Sequence, residues 1–448
     1  MKERDLVLSM LMEIEKGNEF SHILIRQVLD KHNYLEANQK GFIKRLTEGT
    51  LERRLEMDYI INQFSKIKTA KMKPLIRNLL RMSVYQIFYM EHIPHAAVCN
   101  EAVKLAALHK FSSLKGFVNG TLRNIVRNKG EIEYPKKEDN FLQYLEITYS
   151  LPQWIIEELL KQYTKEQVEE ISKGLLEKRP FTIRFSPQLE EKKKEELIKK
   201  WEERGVITKP HPYLSYAYYL ERTEGITFLE GFLQGEFVVQ DVSSMLVAEI
   251  AEIKENMFIL DVCAAPGGKA THGAIKLNHT GCVLARDLTE YKVNMIEESA
   301  TRQKLDNIKT QVWDGTIFDE TLEKRADIVF CDVPCSGLGV MTKKTDLKYR
   351  IQKQDLESLT LLQRKIIENA VRYLKPGGTL IYSTCTIHQK ENEEQVQWMI
   401  ENLGMKLASM KENLPPQLEK EEGKLGLQLL PGIHETDGFF LAKLKKEN

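Results

Sequence analysis

Two apolar runs in this chain end on a cysteine. "IVFCDVPCSGLG" (328–339) carries Cys335 three residues after Asp332, and "GTLIYSTCTIHQKENE" (378–393) carries Cys385. One chemistry that needs two thiols and an acid together is nucleophilic addition to a pyrimidine. The C5 carbon of cytosine is a poor nucleophile because its ring is aromatic and electron-poor. A thiolate that adds at C6 breaks the aromaticity and turns C5 into an enamine carbon, able to take a methyl group from a sulfonium. The C5 proton must then leave and the thiolate must be expelled. The minimum kit is a cysteine, a base, and an acid or hydrogen-bond donor addressing N3 and N4. A free thiol has a pKa of about 8.5, so the attacking one must sit in a field that favours its anion. Spacing alone does not decide which of the two cysteines attacks.

A second group of residues suits a sulfonium donor. "DVCAAPGGK" (261–269) reads as a strand-to-helix turn, and its two glycines let backbone approach a ligand at a helix N-terminus. Cys263, Ala264, Ala265, Pro266, Gly267, Gly268 and Lys269 are the candidate contacts there. The turn is not GxGxxG and lacks the Lys-Ser/Thr pair of a phosphate loop, so neither a dinucleotide nor a triphosphate is favoured. Asp287 closes the next apolar run, where a carboxylate can accept both hydroxyls of a ribose. Asp314, in "VWDGT", ends the third and could bond an exocyclic amine of adenine. A lone strand-end aspartate is as often a helix cap; two on consecutive strands together with a Pro-Gly-Gly turn on the strand before them point to a ligand. S-adenosylmethionine, with a carboxylate at one end and an adenosine at the other, fits all three positions. The thiols of Cys99, Cys263, Cys282 and Cys331 read as small apolar fillers, and no His or Cys pair completes a metal site around Cys331 and Cys335.

These residues need a scaffold that delivers them to one edge. From Phe258 onward, strand and helix patterns alternate, which predicts a doubly wound, mainly parallel sheet with ligands beyond the carboxyl ends of its strands. Residues 1–130 read as all helix: "PLIRNLLRMSVYQIFYMEHI" repeats apolar residues at three- and four-residue steps, Pro94 ends it, and "HAAVCNEAVKLAALHKF" resumes. "KGEIEYPKKEDN" (129–140) reads as a linker. Between it and Val239 lies a small α+β region with a strand in "FTIRFSP" and a charged helix in "EEKKKEELIKKWEERG", closed by Gly205. The expected domains are therefore 1–130, 131–239 and 240–448, matching the roughly three that 448 residues suggest at about 150 residues each.

Net charge is zero, but residues 1–130 hold 22 Lys/Arg against 13 Asp/Glu. A basic N-terminal third is a footprint for a polyanion, with Arg123, Arg127 and Lys129 near one another on its last helix. No apolar run approaches the ~20 residues of a membrane span, and six scattered cysteines suit a reduced, cytoplasmic chain.

"DVCAAPGGK", "CDVPCSGLG", "YSTCT" followed by "KENE", and the closing "LLPGIHETDGFF" together resemble the RNA 5-methylcytosine methyltransferases of the RsmB/Sun (Nop/NSUN) type, from about Gln240 to Leu444. "IPHAAVCNEAVKLA" with "LKGFVNGTLRNIVR" resembles the NusB-like helical RNA-binding fold. That pairing implies a multidomain α and α/β protein with a Rossmann-like class I methyltransferase domain. It also implies S-adenosylmethionine as cofactor and an unpaired or flipped-out cytosine in 16S ribosomal RNA as substrate, the one at position 967, within naked RNA or an assembling small subunit. The resemblance assigns Cys385 as nucleophile and Cys335 as the residue that resolves the adduct; DNA 5-methylcytosine enzymes use their Pro-Cys thiol instead. Asp332 is expected to hold the cytosine edge, with Lys269 beside it or beside the cofactor. Neither DNA nor a membrane is an expected partner, and a monomer is expected. Val333, Ala270, Thr345 and Ser186 depart from the usual pattern, which weakens RNA contacts through Lys343, Lys344, Arg350 or Arg184. Alternatives are a tRNA or other rRNA cytosine methyltransferase, a non-catalytic RNA-binding or antitermination factor, and a nucleotide-dependent oxidoreductase.

Overall fold

A computed structural model of the chain describes residues 3–17, 19–223 and 225–447. Two compact units emerge, Met1–Glu177 with Met341–Gln352, and Lys178–Val340 with Lys353–Asn448.

The first unit is helical. Pro74–Tyr89 begins with proline at its first position, where no amide hydrogen is needed, and eleven of its residues are buried. Its neighbours include Glu3–Lys16, Ala37–Glu52, Arg54–Phe64, His95–Leu108 and Lys115–Arg127. Buried hydroxyls on these helices are satisfied locally: Thr47, Thr50 and Ser83 donate to the carbonyls four residues before them. Gly49 lets Tyr85 lie against the helix; a Cβ there would sit 2.0 Å from the Tyr85 ring. Three more helices, Phe141–Thr148, Gln153–Leu159 and Lys165–Gly174, group with this unit, although the sequence pattern placed them beyond a linker. The amide of Glu56 donates to Ser150 Oγ at 3.1 Å and Tyr59 Oη to the Glu133 carbonyl at 2.8 Å, which ties that stretch down. Segment 341–352 also belongs here. Ser21 donates from both its amide and its hydroxyl to Asp346, and Lys348 Nζ donates to the Glu52 carbonyl at 2.8 Å.

The second unit contains two sheets. Strands β1 (Phe181–Phe185), β2 (Ile207–Pro210), β3 (Ala217–Glu221) and β4 (Phe237–Val239) pair antiparallel in the order β2-β3-β1-β4. The charged helix Glu191–Glu203 buries only Leu197 and Trp201, whose ring stacks on Phe185 at 5.6 Å; the rest of its charge run is a solvated face.

The larger sheet holds β5 (Phe258–Asp261), β6 (Cys282–Asp287), β7 (Ile308–Val312), β8 (Ala326–Asp332), β9 (Leu374–Thr384), β10 (Met405–Ala408), β11 (Leu427–Leu429) and β12 (Phe439–Lys446). Its order is β10-β12-β9-β8-β5-β6-β7, with β11 on β12. Strands β5 to β9 run parallel, and β12 is antiparallel to β9. The chain order reverses between β5 and β8, the place where open α/β sheets hold ligands. Covered on both faces, β8 buries five of its seven residues, which explains its unbroken apolar run. Among the described residues, no helix is long and apolar enough to cross a membrane.

Candidate active site

Adjacent parallel strands in register deliver neighbours in space. Asp332 at the tip of β8 lies opposite Ser383 of β9, and the loops that leave those tips carry Cys335 and Cys385. Their Sγ atoms stand 3.2 Å apart. Sulfur bonding to Cys385 and burial push the Cys335 thiol well above its ordinary range.

Asp332 is held on both oxygens, Oδ2 accepting from Lys269 Nζ at 2.7 Å and Oδ1 from Ser383 Oγ at 2.8 Å. Lys269 is the second residue of helix Gly268–Lys276, and its ammonium also faces the Phe439 ring at 5.4 Å. Burial alone would depress Lys269, but the carboxylates of Asp332 and Asp261 and the nearby Cys385 sulfur raise it instead.

Sequence reading singled out no role for Asp261. It ends β5 with its side chain fully buried, one oxygen accepting from the Cys263 amide at 3.4 Å and the other without a partner among the described residues. Burial pushes it up to about 7, against the pull of Lys269 and with the help of Asp332. The signal was present, since Asp261 opens the "DVCAAPGGK" run, but its burial depends on strands far apart in the chain.

Glu391, from "KENE", was also missed as an individual residue. Wholly buried, it accepts from the Ser336 amide at 2.8 Å, from Ser336 Oγ, and from Gln363 Nε2 at 2.9 Å. Ser336 Oγ meets Thr386 Oγ1 at 2.7 Å, and Gln363 Nε2 also reaches the Pro334 carbonyl at 3.0 Å. One carboxylate therefore fastens the residue after Cys335 to the loop of Cys385. A second fastening is steric. The Gly339 amide donates to the Cys385 carbonyl at 3.0 Å, and a Cβ on Gly339 would fall 2.0 Å from the Gly438 carbonyl oxygen in the closing hairpin.

The turn after β5 fits the expected cofactor. Gly267 adopts φ +102°, a region open to glycine, and a Cβ there would press on the backbone of Ile296 at 3.2 Å. A helix starts at Gly268, and its first turn carries backbone N–H donors with no helical acceptor, suited to a carboxylate. Asp287, at the tip of β6, is buried and accepts from the Ala265 amide at 3.0 Å and from Lys292 Nζ at 2.9 Å. The Leu288 amide donates to it as well, at 2.7 Å, and since a carboxylate has about four lone-pair positions, roughly one is left for a ribose hydroxyl. Asp314 spends Oδ1 on the Thr316 amide and hydroxyl, which hold it below the usual carboxylate range. Its loop runs beside the β5 turn, for a Cβ on Gly315 would lie 3.7 Å from the Val262 carbonyl. No bond among the described residues ties Asp314 to the other candidates.

Other candidates are placed differently. Arg184 is 1% exposed, donating to Gln303 Oε1 at 3.1 Å and reaching the Gly268 carbonyl at 3.5 Å, so it braces the turn from inside. Arg350 bonds Asp346 and the carbonyls of Gly17 and Glu19. Cys331 is fully buried. Among the described residues, no group of three or more His, Cys, Asp or Glu could hold a metal ion.

Comparison with known proteins follows the same division. Residues 248–445 match the 16S rRNA methyltransferase RsmB/F family, and residues 1–127 match the NusB family. A probable ribosomal RNA small subunit methyltransferase B of Bacillus subtilis (strain 168) is 34% identical, over 99% of this chain and 98% of its own. Ribosomal RNA small subunit methyltransferase B of Cronobacter sakazakii is 30% identical, covering 97% and 96%. Among solved structures, a crystal structure of PH0851 covers 100% of this chain and 99% of its own with a TM-score of 0.81 at 23% identity. NSun6 from Pyrococcus horikoshii with SFG covers 66% and 98% with a TM-score of 0.58 at 24% identity.

Proposed function

The chain belongs to the RsmB/F family of methyltransferases, and from that premise we propose that it methylates C5 of a cytosine in small-subunit ribosomal RNA through a covalent cysteine–C6 adduct. The cytosine at position 967 of 16S RNA is the target. The observation that carries the reading is the pair of thiols 3.2 Å apart beside a lysine–aspartate pair at the sheet's ligand edge.

The residues divide the work. Backbone from Cys263 to Lys269, with Asp287 and Asp314, holds S-adenosylmethionine, which supplies an electrophilic methyl group. The Lys269 ammonium favours the Cys385 thiolate, which adds to C6. Asp332, fixed by Lys269 and Ser383, holds the N3–N4 edge by accepting from a protonated N3 or from the N4 amine. Once C5 carries the methyl group, its proton passes to a water molecule, the C5–C6 double bond re-forms and the Cys385–C6 bond breaks to return the thiolate. Cys335, held against Cys385 as a thiol, serves that release. A base inside a duplex hides C6, so the cytosine must be unpaired or flipped out. Residues 1–130 bind RNA backbone, 131–239 assist recognition and 240–448 catalyse, in a cytoplasmic monomer acting on RNA and not DNA. Binding to a basic domain should weaken steeply with salt.

Tritium transfer from labelled S-adenosylmethionine to 16S rRNA, tRNA and DNA tests this. Label in 16S rRNA at one cytosine, lost in Cys385→Ala protein, is the expected result. Label confined to tRNA would move the substrate, and full activity of Cys385→Ala would remove the nucleophile.

A further inference from the structure

A cavity of about 280 Å³ lies within the helical unit. Leu11, Ile14 and Leu51 form an apolar side, while Arg54, Arg81 and Tyr349 contribute a polar one. The charges around it can be paired off. Arg81 is bound bidentately to Asp58, at 2.7 and 2.6 Å. Glu15 is taken by Arg77 and, at 2.6 Å, by Asn78. Asp346 is taken by Ser21 and Arg350. One cation is left over. The Arg54 guanidinium stacks on the Tyr349 ring at 4.3 Å, and its buried Nε has no hydrogen-bond partner among the described residues. Burial and the neighbouring Arg81 cation lower its pKa, so its charge is only partly offset.

Burying the Arg54 Nε–H without an acceptor is costly, and a planar fork of donors is the group best matched to phosphate or carboxylate. The volume is roughly that of nine water molecules, at about 30 Å³ each, more than a bare oxyanion needs. The apolar side would cover a carbon skeleton.

We propose that this cavity is a binding site for an organic phosphate, its phosphate on Arg54 and its sugar-sized remainder on Leu11, Ile14 and Leu51. The ester is either a free sugar phosphate or a phosphate of RNA. Arg54→Gln removes no protein–protein hydrogen bond, so that variant should fold, and Leu51→Phe obstructs the same space without touching charge. Calorimetric titration of the full chain at matched ionic strength, with ribose 5-phosphate and with a short single-stranded RNA, reads the site. Ribose 5-phosphate binding weakened at least ~10-fold by Arg54→Gln and by Leu51→Phe supports a free ester, since one charge-assisted contact is worth about that much. The same loss seen only with RNA supports a backbone phosphate. Equal titrations of wild type and both variants with every probe would overturn the site.

Discussion

At the tip of β8, Asp332 is gripped on both oxygens; in the helical unit, Arg54 lies on an aromatic ring with an Nε that has no hydrogen-bond partner among the described residues. The two regions also each bury one titratable group at the edge of neutrality, in opposite senses. Burial raises Asp261 to about 7 and lowers Lys348 to about 7. The difference teaches what each region is built for. Around the cysteines nearly every polar group is tied to another, so geometry is set before substrate arrives. Around Arg54 the pairing stops one short, so binding completes it.

Removing chemistry from the first region should have the largest effect. Cys385→Ala is expected to cut methyl transfer by more than about 1,000-fold while leaving the unfolding temperature nearly unchanged, read by tritium transfer and calorimetry on one preparation. A large loss of stability with it would mean the thiol is structural.

Loosening the grip is next. Glu391→Ala leaves the Ser336 amide without its carboxylate acceptor and takes one bond each from Ser336 Oγ and Gln363 Nε2, at a cost of roughly 3 kcal/mol, and frees the Cys335 loop. A fall in kcat of about 100-fold with little change in KM is expected. If KM alone moved, Glu391 would belong to substrate binding.

The buried titrating groups give smaller effects with opposite slopes. Asp261 has its folded pKa raised from 3.8, so between about pH 4 and pH 7 the folded state holds a proton that the unfolded state has lost. Stability therefore falls as pH rises through that window. Asp261→Asn should match wild type at pH 4 and exceed it by a few kcal/mol at pH 8. Lys348 has its folded pKa lowered from 10.5, so between about pH 7 and pH 10.5 the unfolded state holds the extra proton and stability rises with pH. Lys348→Met should stabilise the helical unit most below pH 7, by less than the aspartate change because its bond to the Glu52 carbonyl is lost too. Calorimetry across pH 4–10 checks both; parallel slopes for the two variants would erase the contrast.

Legibility in the sequence followed the same line. Cys335, Cys385, Asp332, Lys269 and Asp287 stand at ends of apolar runs, and a parallel sheet brings such ends to one edge whatever the details of packing. The family resemblance, carried by those same runs, named the cofactor. The roles of Asp261, Ser383 and Glu391 depend on register between strands, as in Asp332 opposite Ser383, and no local pattern encodes register. Segment 341–352 was harder still. Its buried Lys348 and Asp346 look like a solvated charge run until Ser21 and Glu52, more than 290 positions away in the chain, are seen to cap them.

The most direct test of the central claim is to trap the bond itself. Cys335→Ala protein, incubated with substrate RNA and S-adenosylmethionine and then denatured, should carry RNA on a peptide containing Cys385, and the double variant Cys335→Ala/Cys385→Ala should carry none. An adduct that forms in Cys385→Ala protein and maps to Cys335 would contradict the account.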